Sequence, residues 1–211
     1  MSGVHDLGGK PGFGSIPMVD DDREYKERWE FVLMGMTRSA YATGPYRADS
    51  LRYVIERIEP SYYLTAPYYG RMLLGAAYSY IEAGALTFED LQRHTPENVT
   101  WPRVSPPLPA HTGHPDNGDP NRFAVGDRVT VRNDFPEGRH VRAPGYVRGR
   151  TGKLIRKGHM IPFPGQACFR DPAPRERTWL VQFERADLWP DSPERGAITV
   201  DLWDSYLLPA A

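Results

Sequence analysis

Residues 96–120 read PENVTWPRVSPPLPAHTGHPDNGDP. The stretch has no apolar periodicity and repeats Pro, Gly and Asn-Gly turn signals. A segment so stiff and polar builds no core of its own, so 96–121 reads as a linker. It concentrates the prolines of a chain that holds 21 of them in 211 residues, against a usual share of about 5%. The fold class then follows from what lies on either side.

On the N-terminal side, residues 1–95, the apolar spacing is helical. Asp20 to Asp22 offer a cap for a helix in which Trp29, Val32, Leu33 and Met36 recur three and four residues apart, ended by Gly44 and Pro45. Asp49 or Ser50 caps a second helix with Leu51, Val54, Ile55 and Ile58 on one face, stopped by Pro60. A third runs from about Pro67 to Gly84, and Gly75, Ala76 and Ala77 within it let a neighbouring helix approach closely. Thr87 and Asp90 open a fourth with a capping box. The expectation is an irregular helical domain, thin enough to want a partner.

On the C-terminal side, residues 122–211, the period changes to two. VGDRVTVR, TGKLIR, TWLVQFE and AITVDLW alternate apolar and polar residues, with Gly, Pro and Asp clusters between them. Short strands at such spacing predict a small antiparallel β-barrel, and GDRVTV followed by GYVRGRTGKLI is similar to SH3-like barrels. The chain is thus expected to be α+β, a helical domain followed by a barrel.

Bulk chemistry excludes several functions. Lys and Arg total 26 against 27 Asp and Glu, a net charge of -1, so no electrostatic pull favours nucleic acid or an anionic membrane. No apolar run approaches the roughly 20 residues that span a bilayer. The Gly-rich N-terminus lacks the basic-then-apolar order of a signal peptide, and the chain reads as cytoplasmic. Cys168 is the single cysteine, so neither an internal disulfide nor a thiolate metal cluster can come from this chain.

A self-contained active site is not found. The GGKPGFG run at Gly8–Gly14 has no strand before it and no helix opening after it, so it lacks the setting of a phosphate loop and reads as an arm lying on a partner. His111 and His114 are near one another in sequence without a third ligand. The arginines say more. At 100° per residue Arg52 falls about a quarter-turn from the apolar face of the second helix, where its guanidinium either snorkels to water or offers its planar fork to an anionic oxygen. Arg139, Arg142, Arg148 and Arg150 crowd one barrel corner, a solvated face or a contact surface. Tyr62, Tyr63, Tyr68 and Tyr69 surround two prolines just after the second helix.

Four stretches carry a resemblance: GVHDLGGKPGFG, LRYVIERIEPSYYLTAPYYG, HVRAPGYVRGRTG and VDLWDSYLLPA. In this order, across the whole length, the chain resembles the beta subunits of nitrile hydratase. The resemblance implies an enzyme that hydrates a small nitrile to its amide, built from this chain and an alpha subunit, often as a dimer of such pairs. It implies that the alpha subunit carries Fe(III) or Co(III) in a Cys-x-x-Cys-Ser-Cys claw with two oxidised cysteines, and that this chain is inactive alone.

The same resemblance assigns roles. Arg52 and Arg142 correspond to the two arginines that hydrogen-bond the oxidised cysteine oxygens. Tyr68 corresponds to a tyrosine near the metal, and Tyr41, Ala48 and Leu51 to the pocket wall contributed by this subunit. Where many relatives have an aromatic residue or histidine one turn after Tyr68, this chain has Arg71 and Met72. His140, which opens the His-x-Arg motif, is either a partner within the site or a turn histidine. Three other readings carry discriminating features. Thiocyanate hydrolase has the two halves on separate chains, a metal-delivery accessory protein matches one half only, and an SH3-like binding module for nucleic acid would be strongly basic.

Overall fold

The helical and alternating patterns are realised as two units of different class. The structure is a computed structural model describing residues 3–10, 12–16, 18, 23–110 and 122–210. One unit contains Lys10–Leu108 with Gly3–His5, the other Pro109–Ala211 with Asp6–Gly9. The Asp20–Asp22 cap and the pair His111 and His114 lie outside the described residues.

Helix α1, Arg28–Thr43, starts where the Glu30 carboxylate accepts from the backbone N–H groups of Lys26 and Glu27 at 2.7 and 3.2 Å. Its apolar spacing does not define one buried face. Leu33 is 5% exposed, while Trp29, Val32 and Met36 are 42%, 47% and 52% exposed. α2, Ala48–Glu56, is capped by Arg47, ahead of both predicted caps, and Ser50 accepts from the Arg47 N–H from within the first turn. Pro60 stops α2 but opens a short α3, Pro60–Thr65, because a proline at the first helical position loses no hydrogen bond. α4, Tyr68–Glu82, follows, and then α5, Phe88–Arg93, with the Thr87–Asp90 capping box closed in both directions at 3.0 Å.

The small residues of α4 do what their spacing predicts. A Cβ placed on Gly75 would stand 2.6 Å from Ile55 Cγ1 and 3.0 Å from Leu51 Cδ1, so α2 rests directly on the α4 backbone. Beyond α5 the first part of the Pro-rich stretch is pinned to the helices. Val104 bridges Ile58, Glu59 N–H donates to Arg103 O at 2.9 Å, and Tyr53 Oη accepts from Leu108 N–H at 3.0 Å. The anchor is Arg57, 8% exposed. Its Nη2 reaches both Glu82 oxygens at 2.6 and 2.8 Å, its Nη1 donates to Ser105 O and its Nε to Tyr53 O. Composition alone could not show a polar stretch being held by one buried side chain.

The second unit is an antiparallel sheet of β1 (Arg128–Val131), β2 (Thr151–Pro162), β3 (Arg175–Glu184), β4 (Ala197–Trp203) and β5 (Leu207–Pro209), in the order β4-β3-β2-β1-β5. The four predicted strands are all present. β5 was not legible, because three residues are too few to show alternation. The sheet is open: β4 and β5 are its edges, so the pairing is not that of a closed barrel. Alternation puts Trp179, Val181 and Phe183 of β3 into the core with Leu154, Phe163, Leu202 and Tyr206. The indole of Trp179 is satisfied by Asp204 Oδ1 at 2.8 Å, as a buried N–H requires.

Gly75→Val tests the helix contact. It is expected to lower the unfolding free energy by about 1–3 kcal/mol, the usual cost of overpacking, read from urea denaturation.

Candidate functional site

The helical unit gathers most of the predicted residues around the start of α2. Asp49, in its first turn, and Arg52 are three apart and therefore on one face, and Arg52 Nη1 lies 3.0 Å from Asp49 Oδ1. The Arg52 side chain is 51% exposed and that of Asp49 23%. An exposed pair of this kind contributes little stability, so its consequence is orientation of the guanidinium. Tyr41 comes from the end of α1. Its ring meets the edge of Tyr46 at 6.0 Å, and its carbonyl accepts from Arg47 Nη1 at 2.9 Å. Burial pushes the Tyr41 hydroxyl up from the ordinary phenol value; Arg52 opposes the shift, while Tyr68 and Asp49 add to it. Tyr41, Asp49, Arg52 and Tyr68 thus share one electrostatic neighbourhood.

Tyr68 opens α4, is 59% exposed and stands edge-on to Tyr69 at 5.1 Å. Ala48 is half-buried at the first position of α2. Leu51 is different: at 1% exposure it is part of the helical core under Gly75 and lines no open surface of this unit. One turn after Tyr68, Arg71 stacks over the Tyr63 ring at 5.0 Å and donates to Tyr63 O, while Met72 is buried. Both residues of this turn are thus engaged within the helical unit.

The His-x-Arg motif lies in the sheet unit, on the loop between β1 and β2. His140 and Val141 are buried, and Arg142 is exposed, with its backbone N–H donating to Tyr206 Oη at 3.3 Å. The loop is shaped from within. Arg148 donates through Nε and Nη2 to Ala143 O at 2.9 and 2.6 Å, and pairs with Asp6 at 3.7 Å. Asp6 also accepts from the Gly145 N–H at 3.0 Å. Gly9 follows with φ 72°, and a Cβ there would stand 2.8 Å from Tyr146 Cβ and 2.9 Å from Trp189 Cζ2. Asp6–Gly9, which includes the first two residues of the Gly8–Gly14 run, therefore belongs to the chain's own sheet unit. Asp6 and Asp49 are the two residues that sequence reasoning missed. Nothing local tells that a carboxylate near the N-terminus will serve a loop more than a hundred residues on, whereas the three-residue spacing of Asp49 and Arg52 was readable.

Among the described residues no group of three or more His, Cys, Asp or Glu could hold a metal ion, Cys168 is buried, and no helix is long and apolar enough to cross a membrane. Of the predicted site residues Arg52, Arg142 and Tyr68 are exposed, and guanidinium and phenol donors suit anionic or polarised oxygens.

An α+β chain that presents exposed arginines from its helical and its sheet unit has a surface suited to contact with another molecule. The comparisons with known proteins agree. Residues 1–117 match the family described as nitrile hydratase beta subunit, N-terminal, and residues 113–209 its C-terminal counterpart. The nitrile hydratase subunit beta of Rhodococcus erythropolis is 35% identical over 219 residues, covering all of both chains. The low-molecular weight cobalt-containing nitrile hydratase subunit beta of Rhodococcus rhodochrous is 31% identical, again over the full length of both. A thiocyanate hydrolase subunit alpha of Thiobacillus thioparus is 32% identical over 71 residues, 34% of this chain and 56% of that protein. The chain belongs to the nitrile hydratase beta subunit family. It is a subunit of a hydro-lyase that converts nitriles to amides within a heteromer.

Tyr46, which braces Tyr41, is 4% exposed, and burial pushes its hydroxyl up to about 12, with the nearby Thr37 hydroxyl opposing the shift. A raised phenol value favours the neutral form in the fold. The corresponding stability is complete below pH 10, the ordinary value, and is lost as pH rises from 10 towards 12. Thermal melts followed by circular dichroism are expected to fall across that window in the native chain and less steeply in Tyr46→Phe.

Proposed function

We propose that this chain completes a nitrile-hydrating site whose metal, Fe(III) or Co(III), is held by an alpha subunit through oxidised cysteines. The observation that carries the reading is the exposed Arg52 fork, held at 3.0 Å by Asp49 beside two phenols. Arginine stays charged in a water-poor interface and presents several donors in a fixed geometry, which fits cysteine oxygens bound to a trivalent ion. Arg142 plays the second such part from the sheet unit. When bound in the partner, the metal supplies Lewis acidity to the nitrile or to water. This chain's residues do the rest of the holding: Arg52 and Arg142 fix the cysteine oxygens, the Tyr68 hydroxyl hydrogen-bonds within the pocket, and Tyr41 and Ala48 form its wall. Leu51 acts from the core, by seating the first turns of α2 on α4.

In the same reading the assembly is a dimer of alpha–beta pairs in the cytoplasm. The sheet is an SH3-like one left open at one side, and the Pro-rich residues around 96–121 join a helical domain over 1–95 to the sheet domain over 122–211. The apolar side chains that α1 leaves exposed support a chain that works against another subunit. The match to thiocyanate hydrolase covers only 34% of the chain, so that substrate is not favoured.

The test is co-expression with the alpha subunit, metal analysis of the purified complex and an amide-formation assay. One Fe or Co per pair and conversion of a nitrile are expected, with neither metal nor turnover in this chain alone; activity of the isolated chain would sink the reading. Arg52→Lys is expected to lower turnover by roughly 10–100-fold while the complex still assembles, since an ammonium cannot copy the fork. Wild-type turnover would remove Arg52 from the site.

A further inference from the structure

The register of β2 against β3 shifts twice, between Leu154 and Arg156 and again between Lys157 and Met160. The second shift leaves Gly158 and His159 outside the ladder. A Cβ on Gly158 would stand 2.9 Å from Thr178 O, so only glycine lets the bulge close on β3, and Arg177 Nη1 holds Gly158 O at 2.9 Å. The bulge turns Arg156, Lys157 and His159 outward, all exposed, around a cleft of about 510 Å³. Arg142 and Trp203 stand at the same cleft, and Thr178 and Ile161 are part of its lining.

The charge of this cleft is one-sided. Arg142, Arg156 and Lys157 are cationic, and the one carboxylate in the lining is Asp201, which stands across Leu180 from Arg156 in the strand register. Among the described residues neither Arg156 nor Lys157 has a carboxylate partner, and Lys157 Nζ lies only over the Trp179 ring at 5.9 Å. In a chain whose net charge is -1, Arg156 and Lys157 make this cleft a local cationic surface that complements carboxylates.

We propose that the cleft seats an acidic segment of the metal-bearing partner subunit, one presenting Asp or Glu side chains to Arg156 and Lys157. This rests on the reading of Arg142 given above. If Arg142 meets the partner's cysteine oxygens, the partner passes over the cleft that Arg142 lines, and the neighbouring cations complement carboxylates on it. Exposed cations of this kind act mainly by steering association, so their effect weakens as salt rises above the screening range.

The test uses co-expressed complexes, with the dissociation constant read by dilution in the analytical ultracentrifuge at 50 and 500 mM NaCl. Arg156→Gln with Lys157→Gln is expected to raise it about tenfold at the lower salt and less than about twofold at the higher. Arg156→Lys with Lys157→Arg keeps both charges and is expected to assemble like the native chain. Native assembly in the Gln pair overturns the proposal, and so does equal weakening in the charge-keeping pair, which would make shape and not charge the cause. If the Gln pair assembles normally but loses a thermal stabilisation by 10 mM inorganic phosphate seen in the native complex, the cleft takes a free anion and the partner is again excluded. The two readings fail separately: normal turnover in Arg142→Lys would end that residue's chemical role while leaving a salt-dependent weakening at Arg156 and Lys157 intact.

Discussion

A buried guanidinium must find acceptors for its donors, and in the helical unit that demand organises the structure. Arg57 sits at the end of α2, almost wholly enclosed, and meets a carboxylate from α4, a carbonyl from its own helix and a carbonyl from the Pro-rich stretch. Each acceptor comes from a different part of the chain. Removing Glu82 would leave the enclosed cation without its carboxylate, the costlier loss, whereas the Glu82 side chain, 34% exposed, can turn to water if the arginine is removed. Ordering of residues 96–108 therefore has an electrostatic cause as well as a packing one.

Arg148 plays the same part in the sheet unit, where Ala143 O and Asp6 take up its donors and the loop carrying Arg142 is closed around it. The same side chain appears in two roles. Arg57 and Arg148 are consumed internally and fix backbone; Arg52 and Arg142 are exposed. Their positions are supported from below, Arg52 by Asp49 and by a helix seated on Gly75, and Arg142 by a loop whose backbone is hydrogen-bonded to Tyr206. A group that must meet a partner's atoms within a few tenths of an ångström benefits from a rigid base, because the entropy of aligning it is then spent in folding and not in binding.

The α+β class was legible because the two periods are physical consequences of helix and strand geometry and do not depend on tertiary partners. The close approach at Gly75 was legible for a similar reason, since only a missing Cβ permits it. What escaped was set by long-range pairing. Trp29, Val32 and Met36 have the spacing of a core face but are exposed, because periodicity says which side of a helix is apolar and not whether the same chain covers it. Pro60 stops one helix and begins another, and the residue type permits both. The open sheet was missed because alternation describes each strand and not whether the first and last of them meet.

The candidate site was legible unevenly. From spacing, Arg52 could be placed only at the edge of an apolar face, and it was the likeness of whole motifs that separated it from an ordinary snorkelling arginine. The structure adds the reason it can serve: the Asp49 carboxylate takes up one Nη1 donor and cannot take up all five N–H groups of the fork, so the others stay available for oxygens outside the chain. Leu51, one residue away, shows the limit of motif transfer. Its neighbour in sequence is exposed, but the 100° step between them turns Leu51 into the core. Position in a motif therefore points to a helix, and the helical turn decides which of its residues are exposed on it.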